Sequence, residues 1–157
     1  MISVLKKLLS KKCFSSVDSA ILKASLMLAA LDGEVSAEEL SNFKELAGSC
    51  RGCTEESFAK LWDEALRCAG YLLIQARILS EDARVALFVR EAEPFFAREV
   101  AMEVSEDRAR AFDLLSEMAA SDGDFSPVEQ KAIAALKDRV SARREEVIAS
   151  LYPRGAR

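Results

Sequence analysis

Ala29-Ala30-Leu31-Asp32-Gly33-Glu34-Val35-Ser36-Ala37-Glu38-Glu39 is echoed ninety positions later by Ala119-Ala120-Ser121-Asp122-Gly123-Asp124-Phe125-Ser126-Pro127-Val128-Glu129. Each copy reads as the end of one helix, a turn and the start of the next. Gly33 and Gly123 suit the left-handed residue that closes an α-helix, a conformation in which any Cβ is strained. Ser36 and Ser126 fit the N-cap of the helix that follows. Each can accept from the backbone N–H of the glutamate three residues on, Glu39 or Glu129, whose carboxylate can accept from the serine N–H in return, a capping box. Pro127 falls at the first helical position, where a missing N–H is harmless. Val35 and Leu40 are placed to staple the first turn; the second copy has Gln130 at the Leu40 position, a weaker staple.

Outward from these turns the apolar residues recur at helical spacing. Val17, Ala20, Ile21, Ala24, Leu28 and Leu31 make one stripe, widened by Leu22, Leu26 and Met27, and predict a largely buried helix. Leu40, Phe43, Leu46 and Ala47 follow in a second helix. Thr54 caps a third that carries Phe58, Leu61, Trp62, Ala65, Ala69, Leu72, Leu73 and Ala76, with a break expected at Gly70. Ser80-Glu81-Asp82 starts another, which Pro94 should kink or divide. Ser105 begins the helix that enters the second turn. Beyond it Ile133, Leu136 and Val140 face the core, and Val147, Ile148 and Leu151 predict a separate short last helix. No alternating β-branched run bounded by turn residues occurs, so no sheet is expected. The fold class is all-α: a single-domain bundle of about seven to eight helices, built from two related helix-turn-helix repeats at about 17–69 and 106–151 within a domain spanning 15–157.

Residues 1–14 read as a basic amphipathic helix, with Ile2, Leu5, Leu8 and Leu9 at helical spacing and Lys6, Lys7, Lys11 and Lys12 between them. Two roles fit: an end helix that covers the bundle with its lysines in water, or peripheral contact with an anionic membrane or a protein partner. The whole chain of 157 residues is half apolar and carries a net charge of -4, which argues against a nucleic-acid surface. No stretch is long and uncharged enough to span a bilayer, and no signal peptide is legible. The expected location is cytoplasmic, with contact at the inner membrane face as the variant in which the basic helix docks there.

Cys50-Arg51-Gly52-Cys53 has C-x-x-C spacing, but the chain has no histidine and only Cys13 and Cys68 besides. A four-ligand zinc site or a dithiol of the kind found beside a βαβ unit is poorly supported. No Gly-x-Ser-x-Gly or phosphate-binding Gly-rich loop is present, and nothing nominates a nucleophile, so an enzyme is not expected. The acids of the two turns are the remaining chemistry. Asp32 through Glu39 matches the second half of a calcium-binding EF loop, yet Leu28 and Ala30, like Met118 and Ala120 in the second copy, stand where its first oxygen ligands belong, which excludes a complete EF-hand. What remains is a hard-oxygen set, Asp32, Glu34 and Glu39 with Asp122, Asp124 and Glu129, of the type that suits calcium, magnesium or manganese. Turn structure competes with metal for every one of them: aspartates satisfy N–H groups in turns, and the glutamates cap helices. An aspartate next to a helix C-terminus opposes the dipole, and its occurring twice demands a local cause.

The twice-used pattern Ala-Ala-x-Asp-Gly, then an aliphatic or aromatic residue, then Ser-x-x-Glu resembles the TerB-like domain of bacterial tellurite resistance. It is also similar to the amino-terminal domain of a membrane-anchored DnaJ-like cochaperone. The resemblance runs from about Val17 to Val140. It implies an all-helical fold of two related halves, a link to metal or oxyanion stress, and divalent-cation binding by Asp32, Glu34, Glu39, Asp122, Asp124 and Glu129. Val128 stands where the first copy has Glu38, so the second turn is poorer in carboxylates. Two functions follow as expectations: a non-enzymatic, cation-binding stress-response module, or a metal-free module that binds an unknown protein partner or a membrane.

Overall fold

The computed structural model describes residues 16–49, 53–120 and 125–152. The basic segment 1–14, Cys13, Cys50 and the Asp122-Gly123-Asp124 turn lie outside the described residues. Within them the chain forms six helices and no strand: α1 (Ser16–Ala30), α2 (Ala37–Ser49), α3 (Glu55–Ala76), α4, α5 (Ser105–Ala119) and α6 (Pro127–Leu151). The fourth helix is composite, with Glu81–Ala92, a π-helical turn Glu93–Ala97 and a last turn Arg98–Val100. The all-α expectation holds, and the count is slightly below the expected seven to eight.

Two of the expected interruptions do not occur. α3 runs through Gly70, where an added Cβ would meet nothing; one glycine costs a helix only about 1 kcal/mol, less than the flanking apolar stripe supplies. Val147, Ile148 and Leu151 belong to the continuous α6 rather than to a separate helix, because Ser141 to Glu146 contains no glycine or proline and is rich in helix formers. The break at Pro94 does occur. Proline has no N–H to give to the preceding turn, and the chain widens there: the Arg98 N–H reaches back five residues to the Glu93 carbonyl.

α1 is the axis of the bundle. It packs most extensively on α3, then about equally on α4 and α5, and touches every other helix. Ile21, Leu22, Met27, Leu28 and Leu31 around it are fully buried, as expected of a helix apolar on nearly all sides. α4 packs on α6, with Phe88 and Phe96 inaccessible to solvent, and Phe96 meets Phe112 of α5 edge-on at 5.5 Å. Trp62 is a core anchor, as its spacing predicts: it stacks on Phe58 at 6.1 Å and tilts against Phe43 at 5.5 Å. The widened turn in α4 is clamped to α6 through Glu93, whose carboxylate accepts from Arg139 Nε at 2.7 Å and Arg143 Nη1 at 2.9 Å. Burial acts against the charge on Glu93, yet the two guanidiniums win and hold its carboxyl below the usual range.

Candidate functional site

The first turn forms as its sequence dictates. α1 ends with the Leu31 N–H on the Leu28 carbonyl at 3.1 Å and the Gly33 N–H on the Ala30 carbonyl at 3.0 Å. Gly33 is the only described residue with positive φ, at 83°, which an L side chain adopts only with strain. Ser36 then caps α2: the Glu39 N–H donates to Ser36 Oγ at 3.1 Å, and the Ser36 N–H donates to Glu39 Oε1 at 3.1 Å. Val35 and Leu40 both pack against the core, consistent with a hydrophobic staple.

The second turn presents the same reciprocal box. The Glu129 N–H donates to Ser126 Oγ and the Ser126 N–H to Glu129 Oε1, each at 3.3 Å, with Pro127 opening α6. Gln130, at the weakly stapling position, instead donates from Nε2 to the Phe125 carbonyl at 3.0 Å.

The two turns meet. Ser126 Oγ lies 3.1 Å from Asp32 Oδ1 of the first turn and 2.9 Å from Glu129 Oε1 of its own. This contact answers the question that the sequence raises about Asp32. The aspartate opposes the C-terminal end of α1, but it also sits at the N-terminal end of α6, where a negative charge is stabilised and a capping hydroxyl is within reach. Arg84 of α4 completes the junction by donating from Nη1 to the Leu31 carbonyl at 2.7 Å, which places a positive charge on the closing turn of α1.

The junction is short of one hydrogen. The Ser126 hydroxyl has a single proton to donate, and two carboxylates stand within bonding distance of it. Glu129 is also only 4 % exposed. Burial pushes its carboxyl up to about 7, against the opposing effect of the Ser126 hydrogen bonds, and the neighbouring Asp32 charge and hydrogen bond push it further the same way. Near neutrality the site therefore gains or loses a proton, and a protonated Glu129 can donate to Asp32. Both capping glutamates, Glu39 and Glu129, also line one small cavity of about 30 Å³ with Ser25, Asn42 and Met118, a volume suited to a water-sized guest.

Of the six acids nominated from sequence, the structure brings Asp32 and Glu129 into one junction and places Glu39 on the adjoining cavity. Glu34 is exposed on the first turn, and Asp122 and Asp124 lie outside the described residues. A hard divalent cation takes six or more oxygens. Among the described residues no group of three or more acids or cysteines converges as a metal site, so these side chains alone make an incomplete ligand set. Arg84, Ser25 and Asn42 are the members of the site that sequence reading missed; Arg84 lies in the first turn of its helix and the other two in mid-helix, and no local motif marks any of them. The described thiols, Cys53 and Cys68, are each raised above the ordinary value, mainly by burial, which disfavours the reactive thiolate.

A helical bundle of two related halves, each with a box-capped helix start, is the all-α architecture that the TerB-like resemblance implies. The family model described as tellurite resistance protein TerB matches residues 18–150, and the chain belongs to that family. No curated protein and no solved structure matches it.

Proposed function

We propose that this chain is a non-enzymatic TerB-like stress-response module in which the junction of the two capped turns binds a divalent cation, calcium, magnesium or manganese. The observation that carries the reading is the carboxylate pair Asp32 and Glu129 sharing the single proton of Ser126. A cation would neutralise the like charges that the hydroxyl alone cannot. Asp32 and Glu129 would hold it, with further oxygens from water and from Asp122 and Asp124 of the second turn. Because a proton at Glu129 competes with the metal, binding should strengthen from pH 6 to pH 8.

Thermal melts with each cation at pH 8 test this. A site specific to the folded chain stabilises it by about 2.7 kcal/mol at a hundredfold excess over the dissociation constant. The shift should vanish in Asp32→Asn. Melts unmoved by all three cations would refute the metal reading.

One feature favours a second reading, a metal-free interaction module: the end of α3 exposes Tyr71, Ile74 at 65 % and, just beyond the helix, Ile78 at 76 %. Apolar side chains grouped in this way are typical of contact surfaces. Among the described residues no helix is long and apolar enough to cross a membrane.

A further inference from the structure

The solvent side of α3 carries a stripe balanced about one glycine. Gly70 lies in mid-helix at its middle, and a Cβ there would meet nothing within 4 Å. Leu66 and Ile74 stand four residues to either side and Asp63 and Arg77 seven, spacings that return to nearly the same side of an α-helix. All four are exposed. Arg77 keeps helical backbone angles as the C-cap of α3, with φ -73° and ψ -19°, so it continues the stripe. Tyr71 and Ile78, also exposed, widen its apolar part on one flank.

Nothing in the isolated bundle uses this stripe. A glycine in mid-helix is less stable than alanine, and it is favoured where another backbone must come close; among the described residues nothing comes close to Gly70. Nor does any ion pair among the described residues engage Asp63 or Arg77. The other cations of the face act within their own chain: Glu64 is held below the usual carboxylate range first by its hydrogen bond from Lys23, and also by the charges of Lys60 and Arg67.

We infer that α3 pairs with α3 of a second copy of this chain, antiparallel and crossing at Gly70. A two-fold axis there sets Leu66 of each copy against Ile74 of the other and Asp63 of each against Arg77 of the other, so apolar contacts and opposite charges are matched twice over. A parallel pair would instead set Asp63 on Asp63 and Arg77 on Arg77. With no side chain at the crossing, the helix axes can come nearer than the usual separation of about 8 to 10 Å. The stripe from Asp63 to Ile78 is roughly 22 Å long and 10 Å wide, which puts the total buried area at or below about 1,200 Å², in the range of weak, reversible complexes. The dimer rests on the reading of this face as a contact surface and names its occupant; it is independent of any cation at the turns.

Charge reversal in the full chain tests it. Sedimentation velocity from about 1 to 500 μM, the span in which weak complexes of this size associate, should show reversible monomer–dimer exchange. Asp63→Arg and Arg77→Asp should each weaken the dimer at least about tenfold, by placing like charges at both ends of the stripe. An equimolar mixture of the two variants should dimerise at least as strongly as the parent, because one copy then presents two cations and the other two carboxylates. Single variants that associate like the parent, or a mixture that stays monomeric, would overturn the antiparallel pairing. A parent chain that is monomeric at every concentration would overturn the second copy as the occupant, and would leave the contact-surface reading of this face to a different partner.

Discussion

Replacing Glu129 by glutamine should make this protein more stable, by an amount that grows between pH 4.5 and about 7 and is level above that. Raising a carboxyl from 4.5 to about 7 on folding corresponds to about 3 kcal/mol at roughly 1.4 kcal/mol per tenfold change in proton affinity. The sign is the reverse of the usual carboxylate case. Between pH 4.5 and 7 the folded chain holds a proton that the unfolded chain has released, so the contribution is complete below 4.5 and is lost as pH rises through 7. From pH 5 to pH 8 the loss is about 2 to 3 kcal/mol. Glutamine is the neutral isostere of the protonated acid and still serves a capping box, so Glu129→Gln should match the parent at pH 5 and exceed it at pH 8 by that amount. For a chain of this length the difference is roughly 5 to 10 °C in melting temperature. Urea unfolding of both proteins at pH 5, 6, 7 and 8 reads it directly. Glu64 and Glu93 are held below the ordinary carboxylate range and Cys53 and Cys68 above the ordinary thiol value, so none of them titrates within this window. Asp32→Asn should shift the parent's transition to lower pH by removing the neighbouring charge. A stability difference between Glu129→Gln and the parent that stays constant from pH 5 to 8 would refute the reasoning.

Other outcomes follow from single features. Gly33→Ala should destabilise by about 1 to 2 kcal/mol, because φ is 83° and the open surroundings offer a methyl group no compensating contact. Gly70→Ala, in mid-helix with equal room, should instead stabilise by up to about 1 kcal/mol; chemical denaturation of the two variants distinguishes the signs. Glu93→Gln should cost roughly 1 to 3 kcal/mol by unpairing Arg139 and Arg143 on a partly exposed network. That Glu93 contribution belongs to a depressed carboxyl, so it is present above pH 4.5 and disappears as pH falls through the lowered value; acid titration of the parent and the variant should converge at low pH.

Much of the fold is legible because its signals are local. The cap at Thr54, the capping boxes at Ser36 and Ser126, the glycine that closes α1 and the disruption at Pro94 each depend on residues within one or two turns. The two expected breaks that are absent, at Gly70 and before Val147, show the limit of that logic: a weak local preference yields to continuous helix on either side. The site is only half legible. Asp32 and Glu129 can be nominated from the repeated pattern, but not the 3.1 Å contact between Asp32 and Ser126, 94 positions apart, nor the burial that makes Glu129 protonatable near neutrality. Arg84 reaches the Leu31 carbonyl from another helix, 53 residues away, and no spacing rule reports such a partnership.

That Asp32 and Ser126 act as one junction is best measured by a double-mutant cycle on Asp32→Ala and Ser126→Ala at pH 8, with unfolding free energy as the readout. Contact between the turns predicts a coupling of at least about 0.5 kcal/mol, whereas additivity to within about 0.3 kcal/mol would mean that the two bends do not interact.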